Sequence, residues 1–355
     1  MSRRDIYYWK CDRPAAFHGT QTRGKADAGI AEELALQLQV RFKSEPVLLH
    51  STGSQGNHLT WKAEVDGMTM FIRVENGPEK DGQLAIESAV LDRVREEGVP
   101  TPRVFACDAS RSRVPFAWQA LERIAAPDLN HWFKLGELDQ PRVAFEIGAA
   151  VARWQSIEPE GFGPLADVSL RCFHSRYEDY FRLRLDQHLN FLVERQFLTS
   201  EQRTDIERAI DEHQALLQVE RSVLVHKDLA LWNILGTRGE IAAFIDFDDA
   251  IGGDAMDDLS LLACFHDAAF LQRALAGYQS VRPLPGEHRR RFWLHLLRNM
   301  IVKAVIRVGA GYFERDSGFF LIGSGSSGSD LRTFTCARLF KALQCLRENA
   351  DIDAL

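Results

Sequence analysis

The sequence predicts an α+β protein of two lobes, a small β-rich lobe followed by a larger, mainly helical one. Three observations carry this. Leu59, Trp61, Ala63 and Val65 alternate at period two up to Asp66-Gly67, and Met68, Met70, Ile72 and Val74 alternate back, the pattern of a hairpin closed by a type I′ turn. Past residue 140 the apolar positions recur at helical spacing instead. The chain has 355 residues, 45% of them hydrophobic and 26% charged, which is ordinary globular usage and enough length for two buried cores. The expected division is an N-terminal extension over 1–45, the small lobe over 46–122 and the helical lobe over 123–355.

The extension ends in a helix with Ile30, Leu34, Leu38 and Phe42 on one face, and its residues suggest no role for it. The start, Met1 to Lys10, lacks the apolar run of a signal peptide, and no apolar stretch reaches transmembrane length. The cytoplasm is the expected compartment, with no membrane partner. Ser51-Thr52-Gly53-Ser54-Gln55-Gly56-Asn57 reads as a loop joining two strands. Its glycines allow close backbone approach, and Ser54 and Gln55 carry donors suited to phosphate oxygens.

In the returning strand Arg73 faces away from Met70 and Ile72. In the helix expected from Asp81 to Glu96, Leu84, Glu87, Leu91 and Val94 share one stripe, which sets a carboxylate among core-facing residues. A buried charge without a partner is costly, so Glu87 calls for Arg73. Phe116 to Ile124 is a further strand, running into Ala125-Ala126-Pro127-Asp128 as the link between lobes. Beyond it, Arg142 to Ser156 and Tyr177 to Glu194 are amphipathic helices, and Thr199-Ser200-Glu201-Gln202 is a capping box that opens a third. Tyr177, Tyr180 and Phe181 read as core.

The chemistry lies in His226-Lys227-Asp228-Leu229-Ala230-Leu231-Trp232-Asn233, with Ile245-Asp246-Phe247-Asp248 beginning twelve residues after Asn233. Two β-like runs, Ser222 to His226 and Ile241 to Phe247, flank a polar loop and the turn Thr237-Arg238-Gly239. Asp228, Asn233 and Asp246 should therefore converge at one end of a small hairpin. Mg²⁺ carried by ATP takes hard oxygen ligands, one or two of them from the protein; Asn233 and Asp246 supply these. Asp228 stands where H-x-D-x-x-x-x-N loops place the carboxylate that orients an attacking hydroxyl and accepts its proton. Singly, such loop residues usually cap turns; in combination their spacing points to phosphoryl transfer from ATP.

With Ile245 to Ala250 and Gly253-Asp254-Ala255-Met256-Asp257-Asp258-Leu259, these segments resemble the aminoglycoside phosphotransferase and choline kinase family over most of the chain. Those proteins are small-molecule kinases with a protein-kinase-like fold. The resemblance implies ATP and Mg²⁺ as cofactors, the 46–122 lobe as the nucleotide-binding one, and the catalytic loop and acceptor site in 123–355. The transfer it implies is of the γ-phosphoryl group to a hydroxyl of an aminoglycoside-like molecule, amino sugar or amino alcohol. By the same resemblance, backbone groups near Glu122 and Ile124 bond the adenine edge, Arg73 held by Glu87 positions the phosphates, and Asp254 and Asp258 brace the catalytic loop. The chain departs from the family at Lys227, Leu231 and Trp232, where many members have Gly after the His and His-Pro before the Asn, and at Ala126, where many have Gly. Lys227 either matches the arginine of the protein-kinase H-R-D or is a solvated loop lysine.

Asp248, Asp249, Asp254, Asp257, Asp258 and Asp267 follow the metal aspartate. They suggest a cationic acceptor by charge complementarity, with Asp248 and Asp267 as its contacts. A protein Ser/Thr kinase is disfavoured because Asp246-Phe247-Asp248 lacks the following glycine and no A-P-E segment appears. A non-catalytic nucleotide-binding module has no use for Asp228. A net charge of -7 and a pI near 5.9 argue against a nucleic-acid partner, and Arg289-Arg290-Arg291 reads as a solvated helix start. Six cysteines without C-x-x-C spacing read as reduced thiols. Gly323-Ser324-Gly325-Ser326-Ser327-Gly328 fits G-x-G-x-x-G, but no second strand follows to complete a βαβ unit. The segment 323–329 reads as a flexible loop.

Overall fold

The structure, a computed structural model, describes residues 2–12, 28–44, 47–55, 58–76, 80–315 and 328–355. Helices α1 (Trp9–Asp12) and α2 (Ala28–Phe42) precede strands β1 (Leu48–Gln55), β2 (His58–Val65) and β3 (Met68–Glu75), then α3 (Gln83–Glu96), β4 (Val104–Asp108) and β5 (Trp118–Glu122). The five strands form one antiparallel sheet in the order β1-β2-β3-β5-β4. Asp66 and Gly67, with φ of 48° and 74°, close the β2–β3 hairpin and set Val65 opposite Met68. That is the left-handed pair a type I′ turn demands.

The period-two pattern becomes a core face. Leu59, Trp61, Ala63, Val65, Met70, Ile72 and Val74 are all buried and cluster with Leu34 and Leu38 of α2. The extension's helix therefore covers one face of the sheet. The other face presents Thr60, Arg73 and Gln119 in one cross-strand row. Helix α3 lies on this side, and its Ile86, Val90, Leu91 and Val94 join the core of the helical lobe. One correction concerns Ser51 to Gln55. Read as loop from their polar composition, they are strand, because pairing with Trp61 to His58 satisfies their backbone across a bulge between Ser51 and Gly53; tertiary pairing overrides weak β-propensity. Gly56, Asn57 and the side chains of Ser54 and Gln55 lie outside the described residues.

The helical lobe contains α4 (Leu129–Lys134), α5 (Gln140–Trp154), β6 (Phe162–Leu165), β7 (Cys172–His174), α6 (Tyr177–Phe181), α7 (Leu185–Glu194), α8 (Ser200–Glu212) and β8 (Val223–Val225). It continues with β9 (Ile234–Gly236), β10 (Ile241–Phe244), β11 (Ile251–Gly253), α9 (Asp257–Leu262), α10 (Ala268–Gln279), α11 (His288–Gly309) and α12 (Gly328–Glu348). The single helix expected from Tyr177 to Glu194 is broken into α6 and α7 by Arg184 at φ 60°. Thr199 and Gln202 form both halves of the capping box on α8. Helices α5 and α10 cross so closely that a Cβ on Gly148 or Gly277 would lie 1.8 or 1.9 Å from a carbonyl oxygen of the other helix. Of the Gly323-to-Gly328 motif, residues 323–327 lie outside the described residues and Gly328 begins α12.

The runs flanking the catalytic loop do not pair with each other. Strand β8 pairs with β11 in the sheet β7-β6-β11-β8, whereas the Thr237-Arg238-Gly239 turn joins β9 to β10. A 3₁₀ turn at Leu231–Asn233 carries the loop from one small sheet to the other, so the single expected hairpin is replaced by the β9–β10 hairpin and the separate long-range pair β8–β11.

The N-terminal residues are built into the helical lobe. Tyr7, Tyr8 and Cys11 belong to its core. The Asp12 carboxylate accepts from the N–H groups of Tyr7 and Tyr8 at 2.6 and 3.0 Å and shares a 2.7 Å hydrogen bond with His188. Tyr180 Oη donates to the Tyr7 carbonyl at 3.0 Å, and the Arg298 guanidinium lies 3.6 Å over the Tyr7 ring. Arg3 pairs with Asp81, at the start of α3, at 2.5 Å. None of the six cysteines is paired, and no described helix is long and apolar enough to cross a membrane.

Candidate active site

A cleft of about 750 Å³ lies between the sheet and the helical lobe, and Arg73, Glu87, Asp228, Asn233 and Asp246 all line it. The catalytic loop is held from below by Asp258, whose carboxylate accepts from the N–H groups of His226 and Lys227 at 2.9 and 3.1 Å and from Trp154 Nε1 at 3.2 Å. Burial pushes the Asp258 carboxyl up to about 6 even so. Lys227 is no solvated lysine. It is buried at φ 68°, and its ammonium donates to Asp257 at 2.7 Å and to Asn299 and the Tyr7 hydroxyl at 3.2 Å each. Asp254 accepts from Met256 N at 2.8 Å and pairs with Arg291 and His295. Burial raises the Asp254 carboxyl, but His295 and Arg291 outweigh it and bring it to about 2. Arg291, expected in solvent, thus anchors α11 to the loop's support.

Asp228 is buried, and four groups converge on its carboxylate. Oδ1 accepts from Tyr8 Oη at 2.9 Å and faces the Lys303 ammonium at 3.6 Å; Oδ2 accepts from Lys10 Nζ at 3.3 Å and Asn233 Nδ2 at 3.2 Å. Burial pushes Asp228 up, but Lys10, Lys303 and the Tyr8 hydroxyl prevail and hold it down at about 2. Asn233 Nδ2 also donates to the Asp228 carbonyl at 2.8 Å. Its amide nitrogen is thus used twice, which turns Oδ1 away from Asp228.

Across the cleft, Arg73 Nη1 donates to both oxygens of Glu87 at 2.5 Å while Nη2 donates to Asp246 Oδ1 at 3.0 Å. Glu87 is fully buried. Burial drives its carboxyl up, to about 7, against the pull of Arg73. Burial likewise opposes the Arg73 charge, but Glu87, Asp246 and Asp248 outweigh it and raise the guanidinium's pKa. Asp246 adopts the left-handed conformation at φ 66° and keeps 43% of its side chain exposed. A hard-oxygen pair, one carboxylate and one amide, suits an octahedral cation whose other positions belong to phosphates and water. Among the described residues no group of three His, Cys, Asp or Glu side chains is placed to hold a metal.

Of the remaining expected residues, Glu122, Ile124 and Asp248 line the same cleft and Asp267 does not. Glu122 and Ile124 line the cleft at the end of β5. Glu122 N donates to the Arg103 carbonyl at 2.8 Å, whereas the Ile124 backbone groups take no backbone partner among the described residues. Asp248 is buried against His58, with 3.4 Å between the ring Nε2 and the carboxylate. Contact with His58 and the charges of Arg3 and Arg73 outweigh the upward push of burial and keep the Asp248 carboxyl well below its usual range. Asp267 is not among the cleft-lining residues; it caps α10, accepting from Phe270 N at 3.0 Å, which is its visible role.

Sequence reasoning missed Tyr8, Trp9, Lys10 and Lys303. Trp9 Nε1 donates to Asp249 at 2.9 Å. Burial and the neighbouring Asp248 push the Asp249 carboxyl well up. The one signal at the sequence level was four consecutive aromatic or cationic residues, Tyr7-Tyr8-Trp9-Lys10, in a segment otherwise read as an extension. A separation of 220 residues between Tyr8 and Asp228 left no spacing to recognise.

The sequence profile of the "Phosphotransferase enzyme family" matches residues 52–293, more than half of the chain. No curated protein matches in sequence. Among solved structures, the aminoglycoside phosphotransferase APH(4)-Ia superposes with a TM-score of 0.62 at 17% identity, covering 90% of this chain and 100% of that one. A thermostable variant of it, in ternary complex with AMP-PNP and hygromycin B, gives 0.61 at 17%, covering 88% and 98%. Spectinomycin phosphotransferase APH(9)-Ia with ADP and spectinomycin gives 0.53 at 13%, covering 91% and 98%. The shared fold has the small antiparallel sheet and the larger helical lobe described above.

Proposed function

The chain belongs to the phosphotransferase enzyme family, and from that premise we propose that it moves the γ-phosphoryl group of ATP to a hydroxyl group of a small molecule. One observation carries the proposal. Arg73 reaches from buried Glu87 to Asp246 in the same cleft that exposes Asp228 and Asn233, so parts of four separated segments face one volume. Phosphoryl transfer needs this kind of positioning and charge compensation more than covalent chemistry.

In this reading Arg73, held by Glu87, positions the phosphates, the backbone near Glu122 and Ile124 takes the adenine edge, and Ser54 and Gln55 lie over the triphosphate. Asp246 and Asn233 would hold Mg²⁺, which would supply positive charge to offset that of the phosphates. The acceptor hydroxyl donates its hydrogen bond to an oxygen of Asp228. A bond forms from that hydroxyl oxygen to the γ-phosphorus as the bond from phosphorus to the ADP oxygen breaks, and the proton passes to Asp228. At a pKa of about 2 Asp228 is a weak base. That suits a loose transition state, in which the hydroxyl proton leaves late and orientation is the main contribution.

Replacing Asp228 by Asn is expected to lower kcat by about 10²–10⁴-fold while Mg²⁺-dependent AMP-PNP binding persists. Turnover at the wild-type rate would show the base to be misassigned. The assay couples ATP consumption to a screen of aminoglycosides, amino alcohols, sugars and nucleosides, which sorts acceptor classes directly.

A further inference from the structure

The charges around Asp228 do not fit a cationic acceptor. Two ammonium groups, Lys10 and Lys303, converge on this one carboxylate. One helical turn beyond Lys303 on α11, the buried Arg307 guanidinium donates to the Thr335 hydroxyl at 2.7 Å rather than to a carboxylate. Burial pulls the Lys303 pKa down, with Asp228 opposing it and Lys10 and Arg307 adding to it, and its ammonium lies 5.1 Å over the Phe265 ring. None of these groups belongs to the phosphate side formed by Arg73, Glu87 and Asp246. A polycation entering here would meet like charge, which costs several kcal/mol at an interface.

The two lysines differ in what they can do. Lys303 is nearly buried and, with Tyr8 and Asn233, already satisfies Asp228. Lys10 lines the cleft and is 35% exposed at the side chain. It occupies Asp228 Oδ2, one of the two oxygens an acceptor hydroxyl must reach, so binding of an acceptor there displaces it. A neutral or cationic acceptor leaves Lys10 only the more distant carboxylates of Asp249 and Asp246. An acceptor that carries its own anion offers Lys10 a replacement, so hydroxyl and anion exchange places with the ion pair together. Trp9, Trp232 and Tyr312 line the same cleft and offer flat apolar surface to a ring.

We infer that the acceptor is a hydroxyl compound bearing a carboxylate or phosphate near the reacting hydroxyl, with Lys10 as the residue that selects for the anion and Trp9, Trp232 and Tyr312 as the surface for its ring. The inference rests on the phosphoryl-transfer reading above, and the test separates the two. With Mg²⁺ and AMP-PNP present, tryptophan fluorescence is titrated with 3-phenyllactate, 3-phenyllactamide and 1-amino-3-phenylpropan-2-ol, which place a carboxylate, an amide and an ammonium beside the same secondary hydroxyl. Uridine 5′-monophosphate against uridine does the same for a phosphate. The anionic member should bind about tenfold more tightly in at least one series, as a charge-assisted hydrogen bond implies. The series that shows it tells carboxylate from phosphate.

Lys10→Met should erase the preference, Lys10→Arg should keep it, and neither should change AMP-PNP affinity. Lys10 is exposed enough that the folded state should tolerate both. Tightest binding of 1-amino-3-phenylpropan-2-ol, no preference in either series, or a preference that survives Lys10→Met would overturn the inference. A loss of AMP-PNP affinity in Lys10→Met with the preference intact would assign Lys10 to the nucleotide instead. Failure of AMP-PNP to bind in a Mg²⁺-dependent way would count against the kinase reading alone.

Discussion

The two sides of the cleft are built from different kinds of sequence information. On the phosphate side, Arg73 and Glu87 are 14 residues apart on one strand and the next helix, and Asp246 follows Asn233 at a fixed motif spacing. On the acceptor side, Asp228 meets Tyr8 and Lys10 across 220 and 218 residues and Lys303 across 75. On the proposed function, the phosphate side handles a group that any ATP-dependent transfer shares, so local motif geometry suffices. The acceptor side on that proposal must match one molecule, and it is assembled from a terminal segment and a distant helix, neither of which carries motif spacing.

The largest effect that tests this contrast lies on the phosphate side. Arg73→Met would leave Glu87 fully buried without its cation, and breaking a buried pair from one side costs about 3–5 kcal/mol. A lower melting temperature and weaker Mg²⁺-dependent AMP-PNP binding are expected together. If affinity for the nucleotide survives, Arg73 is structural and the phosphate side is organised by something else.

Much of the small lobe was legible because its signals are local. The Asp66-Gly67 turn, the period-two strands and the Glu87 stripe each depend on residues within a few positions of one another, and each appears in three dimensions. The catalytic loop was legible as residues but not as topology. The sequence shows two apolar runs around a loop, but which strands they pair with depends on β11, which lies beyond both. Asp248 and Asp267 illustrate a third limit. A carboxylate following a metal aspartate looks the same in sequence whether it meets a substrate, a buried histidine or a helix N-terminus, and here His58 and the end of α10 are the partners found. Lys227 was undecided for the same reason: only the fold brings Asp257, Asn299 and Tyr7 to it.

A smaller effect probes whether the two sides act separately. Tyr8→Phe removes one hydrogen bond to an ionised carboxylate, a contact worth about 1.5–3 kcal/mol, and leaves the Tyr8 ring in the core. Because the Tyr8 hydroxyl bonds to Asp228 and to none of Arg73, Glu87 or Asp246, kcat should fall while KM for ATP stays put. Equal changes in both constants would mean that the terminal segment organises the whole cleft, and the contrast between its sides would fail.

The smallest expected effect is a change of stability with pH that belongs to the acceptor side. Asp228 is held at about 2 in the folded chain, below its ordinary value of 3.8, so folding favours its ionised form. Its ion-pair contribution is therefore complete above pH 4 to 5 and is lost as pH falls from 3.8 toward 2. Asp228→Asn cannot titrate, so comparing its melting temperature with that of wild type at pH 6, 4.5 and 3 isolates this one group from the other carboxylates, which both proteins share. The difference should hold steady from pH 6 to 4.5 and shift against the wild type at pH 3, because the unfolded wild type then takes up a proton at Asp228 that the folded chain, held at about 2 by Lys10, Lys303 and Tyr8, still excludes. A difference that stays flat down to pH 3 would mean that those groups do not hold the carboxylate down. The terminal segment would then be a neighbour of the catalytic aspartate without energetic coupling to it.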